Sequence, residues 1–506
     1  MPAADSLDTT GRVENPLGLQ PFLIVWVHEP TDVPREHCRF PRTRAAATQR
    51  TNVLFILADQ WRFSAFTHAH DPNVRKPNFD RLAQQGMHFA RTYAANPVCT
   101  PNRSCILTGR YSHQHGMIHN NIMLPPSERP MPQVFSDAGY STHYIGKWHM
   151  DGEPRPGFVP PGWRRRGIQT FEGFNRGHFY PTGAQYFTNE GQLLHPQVYE
   201  PTYQADLAMA FIKRNRTHPF FCYLSWGPPH TPYKPPQKWK VYDPEKIEWR
   251  ENVPKATRED PWTKDAIAGY YGLCSSLDYE LSRILKFLDD EGLAQNTLLV
   301  FTSDHGDMLG SHGAYEKSKP EEESLHVPLY MRLPGRIRAG SRTDTLFSSI
   351  DLMPTILSIC GLKTPSPVTG QDLSGVALGT GNPKVDFVYV EGQMRAKEDA
   401  RGEVAGDDGA DRGAKGVSLG MEWRTVVTQQ HKLVMRFDGT VAALFDRAKD
   451  PYEMNNLAEE RSAVALRGDL LGKLKKRGAD TGDRFPHATP AAKDIYTDEE
   501  GAASVQ

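Results

Sequence analysis

Asn52-Val-Leu-Phe-Ile-Leu-Ala-Asp59 is an unbroken apolar run that ends on a carboxylate. A strand buried on both faces of a parallel sheet is written this way. Three similar runs recur, Phe220-Phe-Cys-Tyr-Leu-Ser-Trp226, Thr297-Leu-Leu-Val-Phe-Thr-Ser303 and Val327-Pro-Leu-Tyr-Met-Arg-Leu333, each followed by Gly, Asp or Pro. Between them, Asp265 to Glu291 places Ile267, Tyr270, Tyr271, Cys274, Leu277, Leu281, Ile284, Leu285 and Leu288 at steps of three and four, the spacing of an amphipathic helix. Strand and helix in alternation predict an α/β fold, a large mostly parallel mixed sheet sandwiched by helices. In such folds ligands bind beyond the carboxyl ends of the strands, so the polar residues after each run carry the functional information.

Outside this pattern the chain changes character. Residues 1–50 are rich in Pro, Arg and Thr, with one short apolar stretch, Phe22 to Val27, too brief for a signal segment; they read as a poorly structured extension. A large domain is expected over 51–380 and a small C-terminal domain over 384–476. In the latter, Trp423-Arg-Thr-Val-Val427 and His431 to Phe437 alternate as antiparallel strands, and a helix runs to about Lys476. A flexible insertion is expected at 395–416, where there is almost nothing to bury, and a polar tail at 477–506.

Composition excludes several classes of function. The 506 residues carry 59 Lys+Arg against 60 Asp+Glu, a formal charge of −1, which gives no global field for nucleic acid or an anionic membrane. Mean hydropathy is −0.57, and no apolar run approaches the ~20 residues of a membrane span. The six cysteines form no C-x-x-C pair, so neither a zinc knuckle nor a dense disulfide framework is written here. Unmodified cysteines and the lack of a signal segment point to a cytoplasmic location, unless an export signal lies before this start. Oligomeric state is not legible.

Five polar clusters follow apolar runs. Asp59-Gln60 offers two hard oxygen donors at a strand end, suited to a divalent cation, though such a pair alone is more often a turn or helix cap. Cys99-Thr-Pro-Asn-Arg103-Ser places a cysteine at a helix N-terminus, with Pro101 in the first turn and Arg103 one turn on. Composition alone predicts about 0.06 occurrences of C-x-P-x-R in such a chain, even counting Lys as Arg, so the pattern is informative. In Gly139-Tyr-Ser-Thr-His-Tyr-Ile-Gly-Lys147-Trp-His149, Lys147 and His149 are expected on one side of an extended segment, converging on one oxyanion. Gly227-Pro-Pro-His230-Thr-Pro232 holds an imidazole between prolines, as a general acid requires. Last comes Ser303-Asp304-His305-Gly-Asp307, with His312-Gly313, Lys317 and the less favoured Lys319 downstream.

C-x-P-x-R-S followed by Leu-Thr-Gly-Arg110 resembles the signature of the type I, formylglycine-dependent sulfatases of the alkaline phosphatase superfamily. The Gly-Lys-Trp-His, Pro-His-x-Pro and Asp-His segments follow in that family's order, and Leu444-Phe-Asp446 with Asp450-Pro-Tyr-Glu453-Met-Asn-Asn-Leu457 resembles its C-terminal segment. The resemblance spans about Asn52 to Leu457. It implies the alkaline phosphatase/sulfatase fold, with a smaller antiparallel-sheet and helix domain at the C-terminus. By this resemblance Cys99 is oxidised to formylglycine by a formylglycine-generating enzyme and becomes the nucleophile, with Arg103 as its stabiliser. Asp59, Gln60, Asp304, His305 and the modified Cys99 surround a divalent cation, by family expectation Ca2+, with Mn2+ or Mg2+ open because His305 is a softer ligand. Lys147 and Lys317 grip the sulfate, His230 protonates the leaving group, and His149 takes the proton that releases sulfate.

The implied substrate is a sulfated small molecule or glycan, with a carbohydrate sulfate preferred and an aryl sulfate open. Gly162 to Arg166, Arg176 to Tyr180 and Trp239 to Trp249 are candidate substrate loops, or simply packed or solvated ones. Two alternatives remain. A formylglycine-dependent phosphonate monoester or phosphodiester hydrolase would share Asp-Gln but lack Gly-Lys-Trp-His, and a non-catalytic sulfated-glycan binding protein would have lost charged positions, none of which is eroded here.

Overall fold

The computed structural model describes residues 50–486, apart from 67–68, 70, 181–182, 382 and 393–421. The expected extension, but for Arg50, the insertion at 395–416 and the tail beyond 486 lie outside the described residues. Among those described, no helix is long and apolar enough to cross a membrane.

A ten-stranded sheet runs, edge to edge, through residues 341–343, 87–89, 329–332, 297–303, 52–59, 220–229, 141–147, 170–174, 186–187 and 193–194. The five consecutive strands from 297–303 to 170–174 are all parallel, and both flanks add antiparallel neighbours. The central strand Asn52–Asp59 is buried at every residue. Val53, Phe55 and Leu57 enter one core and Leu54, Ile56 and Ala58 the other, as the period of two requires. Helices cover both faces, so the continuous apolar run is explained.

Helix Pro261–Asp290 covers the face of Leu54, Ile56 and Ala58. The Asp260 carboxylate accepts from Thr263 N–H at 3.1 Å and Pro261 opens the first turn, which fixes the start. Gly292, at φ 67°, ends it. Leu281, Ile284, Leu285 and Leu288 are fully buried, each contributing about 1.5–3 kcal/mol as an upper estimate. Helices Cys99–Thr108 and Leu352–Ile359 pack on the face of Val53, Phe55 and Leu57.

The run Val327 to Leu333 is not one strand. Pro328 has no N–H to give a ladder, and the chain divides there. His326–Val327 pairs with Thr92–Tyr93 in a separate three-stranded sheet, while Leu329–Arg332 joins the main one.

Residues 388–392, 423–427, 431–436 and 441–446 form a four-stranded antiparallel sheet, and a helix follows at Val464–Thr481, five residues longer than the expected end at Lys476. One face of this sheet packs on Leu470 and Leu474, the other on Tyr93, Leu325 and Leu346. Charged side chains also tie it to the segment after Lys317. Lys432 Nζ donates to Pro320 O at 2.6 Å, Arg447 pairs with Glu322 at 2.7 Å, and Glu453 accepts from Glu322 N–H at 3.2 Å while pairing with Lys432.

Candidate active site

All five parallel strands deliver side chains beyond their carboxyl ends. Strand 52–59 ends on Asp59 and Gln60; strand 297–303 is followed by Asp304 and His305; strand 220–229 leads to His230; strand 141–147 ends on Lys147. Helix Cys99–Thr108 points its N-terminus at the same place, with Cys99 its first residue and all ten residues buried. Gly109, at φ 66°, closes its far end through an N–H bonded to Cys105 O.

Cys99 Sγ lies 3.3 Å from His305 Nε2 and 3.9 Å from Asp59 Oδ1. Ligand atoms of Asp59, Cys99, Asp304 and His305 all fall within 4.8 Å of one another and all four residues are buried. Two carboxylates, an imidazole and a sulfur or its oxidised successor make a set that fits one divalent cation. Gln60 stands beside them in the left-handed region, φ 69°. Its amide oxygen accepts from Lys317 Nζ at 3.1 Å, and its amide nitrogen donates to Asp307 at 2.7 Å.

Arg103 bridges the two carboxylates. Its Nε donates to Asp304 at 2.9 Å, one terminal nitrogen to Asp59 at 3.1 Å, and the other to Lys147 O and Ser225 Oγ. Lys147 Nζ donates to the same Asp59 oxygen at 2.8 Å. Burial alone would raise the Asp59 carboxyl, but Lys147, His230 and Arg103 outweigh it and hold it well below the carboxylate range. On the opposite side Lys317 Nζ meets His230 Nε2 at 2.6 Å.

His149 departs from expectation. The strand ends at Lys147, and His149 takes φ 57° instead of an extended conformation. Its N–H donates to Asn175 O at 2.6 Å and its carbonyl accepts from the Thr100 hydroxyl at 2.7 Å, so two neighbouring segments hold the turn. Gln60, His149, Glu316 and Ser318 all have positive φ. Such backbone costs about 1–3 kcal/mol per residue and persists where the surroundings over-determine it.

Two residues given no role from sequence belong to the site. Asp307 gathers Gln60, the Tyr233 hydroxyl and the N–H groups of Leu309 and Glu316, shaping the turn that presents Lys317. His178, inside one of the substrate-loop stretches, packs against His230 with ring centroids 3.6 Å apart. Its signal was positional: it follows the fifth parallel strand, Thr170–Phe174, as the other site residues follow theirs.

The arrangement puts a buried sulfur at a helix N-terminus, within a cluster able to hold a cation and with two lysines and two histidines around it, an enclosure that suits a tetrahedral oxyanion. The Sulfatase family model matches residues 51–362. The chain belongs to the sulfatase family. As its members do, it hydrolyses sulfate esters. The ulvan-active sulfatase of Formosa agariphila is 30% identical to this sulfatase over 443 residues, covering 86% of this chain and 82% of its own. The crystal structure of the Bacteroides fragilis yidJ protein is 26% identical and superimposes with a TM-score of 0.75 over 87% of this chain and 97% of that one. A phosphonate monoester hydrolase from Silicibacter pomeroyi, 22% identical, shares the sulfatase's fold with a TM-score of 0.69 over 86% and 96% of the two chains.

Proposed function

We propose that this sulfatase removes sulfate from a carbohydrate sulfate ester, using Cys99 after its conversion to formylglycine. The observation that carries this reading is the seat of Cys99: first residue of a buried helix, 3.3 Å from His305 and facing Lys147 and Lys317 across Asp59 and Gln60. The hydrated aldehyde offers one hydroxyl as nucleophile and a second whose deprotonation expels sulfate, which a serine or cysteine ester lacks. A divalent cation, which we take to be calcium, held by Asp59, Asp304, His305 and the modified Cys99 beside Gln60, would lower the pKa of that hydrate.

The chain's own residues supply the rest. Lys147 and Lys317 donate to the non-bridging oxygens and neutralise the charge that would repel the nucleophile, while the electron pair of the breaking S–O bond goes to the leaving oxygen. His230 delivers a proton from Nε2 to the departing ester oxygen. The Nδ1 of that ring lies 2.9 Å from Thr231 O, which suits a protonated Nδ1, and its Nε2 accepts from the Lys317 ammonium at 2.6 Å, the source of the proton it passes on. His149 takes the proton whose removal restores the aldehyde and releases sulfate. The dipole of the helix that begins at Cys99 favours the anionic nucleophile.

The sugar assignment is supported by the ulvan-active relative. A second reading, phosphonate monoester or phosphodiester hydrolysis, is favoured by the shared fold of the Silicibacter enzyme. Lys147 and His149 favour sulfate. The test is product release from three panels: sulfated saccharides, an aryl sulfate, and a phosphodiester with a phosphonate monoester. Faster sulfate release supports the proposal; phosphodiester turnover far above aryl sulfate turnover overturns it.

A further inference from the structure

The loop after strand Thr170–Phe174 sends two side chains onto the His230 loop. The Tyr180 hydroxyl donates to the carbonyls of His230 and Thr231. His178 stacks on His230 with ring planes 11° apart. Its Nε2 lies 2.9 Å from Lys147 Nζ and 3.3 Å from Asp59 Oδ2. An ammonium has only donors, so toward Lys147 the Nε2 accepts, and the ring proton sits on Nδ1.

Lys147 and His230 hang from neighbouring strands and belong to different chemical steps. A lysine ammonium can rotate about four side-chain bonds, and fixing such a side chain costs up to about 2 kcal/mol. Here two of its three N–H groups are committed, one to Asp59 and one to His178, which leaves one donor with a set direction.

We propose that His178 is a positioning residue that sets two sulfate-handling groups at once: it aims Lys147 by accepting its second N–H, and it orients His230 by stacking on the ring. This rests on the function proposed above and adds to it the device that couples sulfate binding to leaving-group protonation.

His178→Phe keeps the stack and removes the acceptor, whereas His178→Asn keeps an acceptor and removes the stack. Each is compared with wild type for kcat and KM on aryl sulfates of graded leaving-group pKa, for binding of inorganic sulfate by calorimetry, and for melting temperature. His178→Phe should weaken sulfate binding and raise KM about tenfold with an unchanged leaving-group dependence. His178→Asn should leave KM and sulfate binding near wild type and lower kcat about tenfold for poor leaving groups only. Equal losses across all leaving groups, or a lower melting temperature without either kinetic signature, would overturn the proposal, as would parameters within about twofold of wild type in both variants. A wild-type enzyme that releases no sulfate would instead remove the functional reading; calorimetry on His178→Phe would still decide whether His178 aims Lys147.

Discussion

Lys317 Nζ and His230 Nε2 stand 2.6 Å apart, so the group assigned to hold sulfate and the group assigned to protonate the leaving oxygen are in contact before any substrate arrives. Lys317→Ala should lower kcat/KM about 10²–10³-fold, as loss of one oxyanion donor does. His230→Ala should cost about 10²–10⁴-fold for alkyl leaving groups and far less for activated aryl ones. Because the two touch, the double variant should lose less than the product of the single losses, which steady-state kinetics on all four proteins measures.

Cys99→Ala should abolish turnover without unfolding the protein, since an alanine keeps the helix start. In a host that makes formylglycine, the tryptic peptide Thr92–Arg103 should be lighter than its cysteine form by the difference between CH2SH and CHO. An unmodified thiol in fully active enzyme would refute the assignment.

Removing divalent cations should expose the cost of crowding Asp59 and Asp304 around Cys99 and His305. Dialysis against a chelator is expected to lower both the melting temperature and the activity, and added Ca2+ to restore both. At a free ion concentration about 100 times Kd the recovered stability is about 2.7 kcal/mol. Metal analysis of the purified protein and back-titration with Mn2+ and Mg2+ identify the ion.

Gly146 sits at φ 96°, and a Cβ there would lie 2.2 Å from Ser225 O and 2.7 Å from Gln204 Nε2. Gly146→Ala therefore has to push apart the strands that carry Lys147 and His230. A destabilisation of about 2–4 kcal/mol is expected, larger than an ordinary surface glycine replacement. Denaturant unfolding of the variant checks it; a wild-type midpoint would contradict the geometry.

His113 reports on the junction between the two sheets. Burial would lower its pKa, but the Glu391 carboxylate at 2.5 Å and Asp483 at 3.9 Å outweigh burial and hold it above the ordinary value of 6.5. A folded-state pKa above the unfolded one means stability fully present below about pH 6.5 and lost as pH rises through the folded value. The melting-temperature gap between wild type and His113→Gln should be widest below about pH 6.5 and narrow as pH rises through the raised folded-state value.

Sequence made the centre of the fold legible because strands 52–59, 220–229 and 297–303 are buried on both faces and therefore written as continuous apolar runs. It was silent on the edges. Strands such as Tyr186–Phe187 and Leu193–Leu194 are two residues long, shorter than any periodicity can reveal. Pro328 hid a sheet change inside one apolar run. The site followed the same rule: Cys99, Lys147, His230 and Asp304 sit in local patterns, while His178 means something only beside Lys147, Asp59 and His230, which other strands supply. The backbone turn at His149 was not legible, since it is imposed by Asn175 and Thr100 from elsewhere in the chain.

The ties from Lys432, Arg447 and Glu453 to Pro320 and Glu322 give the C-terminal sheet a second meaning. The family match ends at residue 362, yet the turn that presents Lys317 is braced by side chains more than a hundred residues further on. A fragment cut at that boundary would keep every reacting group and lose the abutment beneath one of them. For this chain, the stretch that identifies the enzyme is smaller than the stretch needed to be one.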